Sequence, residues 1–230
     1  MTTSLVLLSG GLATRLQPIS HTIPKALIDI NDRPFIEYQL NLLKEQGITE
    51  VVICIGHLGE QIENIIHDGK KFGINIRYSK DGEKLLGTAG AIKKALPFLP
   101  ETFFVMYGDS YLPINFKEVS DFFENNKKQA LMTVIENNDQ WDKSNVIFKD
   151  NRIIKYDKKD ITSEMRFIDY GLGIMSKKNF DTIKEDEVFD LANIYKDLAI
   201  KEELLGFETK ERFYEIGSFS GIEEFKKYIN

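Results

Sequence analysis

Apolar runs of strand length alternate with segments of helical period through the first half of this chain, and that alternation restricts the fold more than any other property. The runs are Leu5–Ser9, Glu50–Gly56, Ile74–Tyr78 and Phe103–Tyr107. Between them apolar residues return every three to four positions, as in Ile36, Leu40 and Leu43 before Gly47, and Ile62, Ile65 and Ile66 before Gly69. Strand, helix, strand repeated in this way implies an α/β fold: a Rossmann-like, mostly parallel sheet flanked by helices on both faces. Ligands in such sheets bind beyond the carboxyl ends of the strands, where Gly10-Gly11 and Asp109 fall.

The second half changes rhythm. Asn145–Phe148 and Arg152–Tyr156 flank the turn-forming pair Asp150-Asn151, and Arg166–Met175 is a further strand candidate. These segments read as a small β-rich insertion able to wall off a substrate. A helix near Leu191–Lys201, a strand near Phe213–Ile216 and a closing helix with Ile222, Phe225 and Ile229 on one face follow. Ser220 with Glu223 three residues later fits a capping box for that helix.

The first strand opens into Ser9-Gly10-Gly11-Leu12-Ala13-Thr14-Arg15, with Lys25 ten residues after the arginine. Adjacent glycines let backbone N–H groups approach a polyanion, Arg15 offers a planar fork for phosphate oxygens, and Lys25 adds a point charge. No Gly-Lys-Ser/Thr follows, so the loop is not a P-loop, and the spacing is not Gly-x-Gly-x-x-Gly. Taken alone, Gly10-Gly11 is equally a tight strand-to-loop turn.

The string Leu8-Ser9-Gly10-Gly11-Leu12-Ala13-Thr14-Arg15-Leu16 with Pro24-Lys25 resembles the sugar-1-phosphate nucleotidyltransferases, the nucleotide-sugar pyrophosphorylases, whose signature is L-A-G-G-x-G-T-R-L followed by P-K-P. Ala13 replaces the usual Gly and Ala26 the frequent Pro. Pro34-Phe35-Ile36-Glu37-Tyr38, Leu86-Gly87-Thr88-Ala89-Gly90-Ala91, Tyr107-Gly108-Asp109 and Tyr214-Glu215-Ile216-Gly217-Ser218 extend the resemblance over nearly the whole chain. The Gly-Thr-Ala-Gly form is similar to guanylyltransferases acting on mannose or heptose 1-phosphates, while thymidylyl and uridylyl relatives have similar loops, so the base stays open.

The resemblance implies one nucleotidyltransferase domain over 1–230, with nucleotide bound by about 1–135 and the acceptor by about 136–230, which includes the closing helix. It implies transfer of a nucleotidyl group from an NTP to a sugar 1-phosphate with release of pyrophosphate, in nucleotide-sugar and polysaccharide biosynthesis. Arg15 and Lys25 would be catalytic, and Leu8, Ser9, Gly10, Gly11, Thr14, Gly87 and Thr88 would hold nucleotide. Asp109 matches the family's metal-ligating Gly-Asp, and Glu215 stands for the Asp of its D-[VIT]-G-T string; together they would hold Mg²⁺, which favours one or two carboxylates. Asn145, Lys158, Asp169 and Tyr170 would meet the acceptor, with Trp141 a lesser candidate. Each has an ordinary structural reading too: Lys158 in Tyr156-Asp157-Lys158-Lys159 is also a solvated turn, and Gly-Asp also a loop cap. A homo-oligomer is compatible with the resemblance. Two rivals share these residues, a cytidylyltransferase for a non-sugar phosphate acceptor and a non-catalytic nucleotide-sensing homologue.

The net charge of −6 and the absence of a Lys/Arg cluster argue against nucleic acid as a partner. No apolar run approaches the roughly 18 residues of a membrane span, and the start lacks a signal-peptide pattern, so the expectation is a cytoplasmic protein without membrane contact. Cys54, the single cysteine, lies in an apolar run and reads as a core residue. His21, His57 and His67 have no metal-ligand spacing and read as loop or surface residues.

Overall fold

Seven of nine strands in the central sheet point the same way. The computed structural model describes residues 2–12, 14–18 and 21–230. It begins with β1 (Ser4–Leu8), a short ribbon of β2 (Asp29–Ile30) and β3 (Arg33–Pro34), and helix α1 (Phe35–Glu45). Next come β4 (Glu50–Ile55), α2 (Gly59–Ile66), β5 (Asn75–Lys80), α3 (Gly87–Ala95) and β6 (Thr102–Tyr107). Strand β7 (Ser110–Tyr111), α4 (Phe116–Asn126), β8 (Ala130–Glu136), β9 (Val146–Lys149), β10 (Arg152–Tyr156) and β11 (Phe167–Ser176) follow. The chain closes with α5 (Leu191–Ile200), β12 (Leu204–Glu208), β13 (Tyr214–Glu215) and α6 (Phe219–Tyr228).

The sheet order is β5-β4-β1-β6-β11-β8-β12-β10-β9. β5, β4, β1 and β6 are parallel neighbours, as the alternation of runs requires, and only β10 and β11 oppose the common direction. Alternate side chains reach opposite layers. Leu5 and Leu7 pack with Ile36, Leu40 and Ile62 of α1 and α2, whereas Val6 joins Ala89, Ile92, Ile194 and Leu198 of α3 and α5. Among the described residues no helix is long and apolar enough to cross a membrane.

Two expectations need correction, concerning the cap of the last helix and the number of core elements. The β-rich hairpin β9–β10 forms the edge of the same nine-stranded sheet, and β9 also touches β11. Its turn is as expected, with Asp150 and Asn151 both at positive φ (50° and 59°), the two-residue turn that matches strand twist. Helix α6 is capped by Ser218, whose hydroxyl accepts from Gly221 N–H at 3.0 Å, not by Ser220. The helix starts one residue before Ser220, so that residue already lies inside it. Strands β8 and β12 and helix α4, absent from the expected elements, complete the core; β8 is an apolar run between polar segments and is buried on six of seven positions.

A third cluster stands apart from the two sheet faces. Leu16, Ile28, Ile30 and Phe35 from the start of the chain pack on Ile216, Ile222 and Phe225 from its end, with the Phe35 and Phe225 rings edge-on at 5.1 Å. It fastens α6 beside the loop that follows β1.

Candidate active site

Two cavities open at the carboxyl end of the parallel strands and meet at Tyr107 and Asp109, which line both. The first is walled by the loop after β1 and the start of α3: Leu8, Ser9, Gly10, Gly11, Lys25, Gly87 and Thr88 all line it. The expected nucleotide-side residues are thus brought together, apart from Thr14, whose side chain, like Ala13, lies outside the described residues. The Ser9 hydroxyl is buried and has no hydrogen-bond partner among the described residues, a cost that a ligand acceptor or donor would remove.

The glycines of Gly87-Thr88-Ala89-Gly90 also serve packing within the protein. Gly87 has φ +71°, and a Cβ there would stand 2.6 Å from the Phe189 carbonyl oxygen. That carbonyl accepts from Ala89 and Gly90 N–H at 2.9 and 3.2 Å. The small residues admit the 187–190 segment; Gly87 also lines the cavity, whereas Gly90 does not. Thr88 adds to the same joint, donating to Asp190 Oδ1 at 3.1 Å and accepting from Leu191 N–H at 2.7 Å.

At the junction, Lys25 Nζ lies 2.8 Å from Asp109 Oδ2, with the side chains 18% and 30% exposed. Strands β7 and β13 pair with Glu215 opposite Ser110, and Ile216 N–H donates to the Asp109 carbonyl at 2.9 Å. This short ribbon sets the two carboxylate residues side by side although 106 positions separate them in sequence. Glu215 is held from behind: Gly217 N–H donates to Oε2 and the Ser218 hydroxyl to Oε1 at 2.6 Å. Gly217 marks the centre of the charge cluster, since a Cβ there would lie 2.5 Å from Glu215 Oε2, 2.9 Å from Arg15 Nη2 and 3.4 Å from Lys25 Nζ. Any other side chain would collide with Glu215 and Arg15 and touch Lys25. Lys25 faces the first cavity and exposed Arg15 the second, so the two cations flank the junction.

The second cavity, about 660 Å³, contains Asn145, Lys158, Asp169 and Tyr170, all four expected acceptor-side residues. A register shift between Asp169 and Gly173, with Gly171 at φ +108°, bends β11 at this point. The Asp169 carboxylate accepts from Gly171 N–H at 3.0 Å, and Asn145 Oδ1 accepts from Asp169 N–H at 3.3 Å. Burial pushes the Asp169 carboxyl up, and the Lys158 ammonium opposes that shift.

The turn that carries Lys158 is anchored to the rest of the fold. Asp157 accepts from Lys159 and Asp160 N–H at 2.9 and 3.0 Å and from Lys196 Nζ at 2.6 Å, which keeps its carboxyl well below the usual range. The turn is therefore tied to α5, and Lys158 Nζ sits 5.7 Å from the Tyr107 ring centroid.

Sequence reasoning missed Asp81 in the first cavity and Arg212 in the second. Arg212 stacks over Tyr214 at 5.1 Å and Trp141 at 5.9 Å and pairs with Glu224. Its place three residues before Glu215 was its only signal. Cys54 is buried, donating to the Ala91 carbonyl, with its thiol pushed far up by burial. His21, His57 and His67 are exposed and line neither cavity.

A family model described as Nucleotidyl transferase matches residues 4–164. The chain is 29% identical over 214 residues to a D-glycero-alpha-D-manno-heptose 1-phosphate guanylyltransferase of Campylobacter jejuni, covering 92% of this chain and 93% of that protein. It is 36% identical over 141 residues to a UTP--glucose-1-phosphate uridylyltransferase of Synechocystis, covering 56% of this chain and 36% of that relative, so it spans about a third of that protein's length. The fold superposes on the crystal structure of HddC from Yersinia pseudotuberculosis with a TM-score of 0.83 and 24% identity, over the full length of both chains.

Proposed function

The chain belongs to the nucleotidyl transferase family, and on that premise we propose that it transfers a nucleotidyl group from a nucleoside triphosphate to a sugar 1-phosphate, giving a nucleotide sugar and pyrophosphate. The observation that carries this reading is the junction: two cavities of different lining share Asp109, with Lys25 on one side and Arg15 on the other. A one-substrate hydrolase has no use for the second cavity.

The attacking group is already an anion, so no general base is required, and catalysis reduces to aligning two polyanions that repel each other. Lys25 and Arg15 neutralise phosphate charge from opposite sides of the Gly217 turn. Gly10 and Gly11 leave backbone room for phosphate oxygens. The residues at the junction fit magnesium: hard carboxylate oxygens on Asp109 and Glu215, with the latter oriented by the Gly217 and Ser218 donors. Bound there, the ion would screen triphosphate charge and favour departure of pyrophosphate. Asn145, Lys158, Asp169 and Tyr170 orient the acceptor, with Lys158 available to its phosphate and Asp169 to hydroxyl donors.

The whole chain acts in this reading as one catalytic unit with a nucleotide half before about residue 135 and an acceptor half after it, working in the cytoplasm. Pyrophosphate release measured across a matrix of nucleoside triphosphates and sugar 1-phosphates tests the assignment; silence in every cell with folded protein overturns it.

The division of labour has its own test. Lys158→Ala and Asp169→Ala are expected to raise the acceptor KM about tenfold or more while kcat and nucleotide affinity change little, the pattern of lost ground-state binding. Direct titration with nucleotide is the control. Loss of nucleotide binding in Lys158→Ala would reassign the second cavity.

A further inference from the structure

Asp81 follows β5 and lines only the first cavity, in the company of Cys54, Leu85 and Ala91. It is 7% exposed. Its Oδ2 accepts from Leu86 N–H at 3.1 Å, and Lys94 Nζ donates to its carbonyl oxygen at 3.1 Å, which sets a cation behind it. Among the described residues no protein donor reaches Oδ1. Burial pushes the carboxyl up, with Lys94 and the Leu86 bond pulling the other way. A carboxylate in an otherwise apolar wall is costly unless donors meet it, and here the protein supplies one where a carboxylate accepts several.

We infer that Asp81 selects the nucleobase and that the base is guanine. This rests on the proposed nucleotidyl transfer for the presence of a nucleotide in the cavity. Guanine is the common base whose edge carries two adjacent donors, N1–H and the 2-amino group, which match the two oxygens of one carboxylate. Adenine and cytosine each set a ring acceptor beside their amino group. Uracil and thymine set a carbonyl on either side of one N–H. Each of those four bases turns a lone pair toward the carboxylate, and a buried acceptor facing an acceptor discriminates strongly.

Equilibrium titration of the whole chain with GTP, ITP, XTP, ATP, CTP, UTP and dTTP in magnesium tests the assignment without an acceptor. GTP is expected to bind about ten- to a hundredfold more tightly than ITP, which lacks only the 2-amino group, the span of one hydrogen bond to a charged partner. UTP and dTTP should bind more weakly still. Asp81→Asn exchanges one carboxylate oxygen for a donor, so GTP should weaken by about a hundredfold and XTP, with a carbonyl at C2, should gain. A carboxylate that only ties Leu86 in place would lower every affinity by one factor and the Tm with it.

An unchanged ratio of GTP to XTP in a folded Asp81→Asn protein overturns the inference. So does tightest binding of any triphosphate other than GTP by the unaltered chain, a result independent of whether the variant folds. Failure of all seven to bind overturns the nucleotidyl-transfer reading and this inference together, whereas binding without guanine preference overturns this inference alone.

Discussion

Asp109→Asn is expected to lower kcat/KM by three decades or more while leaving the fold intact. The substitution removes one formal charge at a residue that both cavities share, where Lys25 Nζ stands at 2.8 Å. It also replaces a hard anionic donor by an amide, a poor ligand for a small divalent cation. Three decades correspond to about 4 kcal/mol of transition-state stabilisation, within the range for a central electrostatic group. Glu215→Gln should cost less, because the Gly217 and Ser218 donors that hold the carboxylate can still meet the amide oxygen. Pyrophosphate release followed across a magnesium titration checks both, and wild-type activity of Asp109→Asn at every magnesium concentration would move the metal elsewhere.

Lys25→Ala should reduce kcat/KM by two decades or more. The ammonium is mostly buried against Asp109 and within reach of the Gly217 turn, so its loss removes a cation from the phosphates and leaves the carboxylate without its partner. Uniform loss of nucleotide binding would raise KM alone; a cation serving the transferring phosphate lowers kcat as well. Steady-state kinetics with a thermal melt separates these, and near-normal turnover by the folded variant contradicts the role.

Much of the site was legible because strand ends announce themselves. Gly10-Gly11 and Asp109 each terminate an apolar run, and parallel strands place such ends along one edge of the sheet. Lys25 and Arg15 were legible through a short local string. Asp81 and Arg212 were not: the first sits in Lys80-Asp81-Gly82-Glu83 and the second in Lys210-Glu211-Arg212, stretches whose charge is that of an ordinary surface loop. Only the approach of Gly10 and Leu86 to one, and of Trp141 and Tyr214 to the other, gives them a setting. The packing role of Gly87 and Gly90 was hidden for a related reason, since each meets the carbonyl of a residue about a hundred positions away.

The cluster of Leu16, Ile28, Ile30 and Phe35 with Ile216, Ile222 and Phe225 joins segments about two hundred residues apart. Contacts of such separation must meet the entropy of closing nearly the whole chain before they return any energy, so they favour late formation. The parallel pairs β1–β4 and β4–β5, each linked through a single helix, carry a much smaller burden. Arg15, Lys25 and Glu215 converge only where this distant join is made, which ties the appearance of activity during refolding to the last step rather than to growth of the sheet. Circular dichroism should therefore recover ahead of turnover, and a chain caught between the two would look folded while remaining silent.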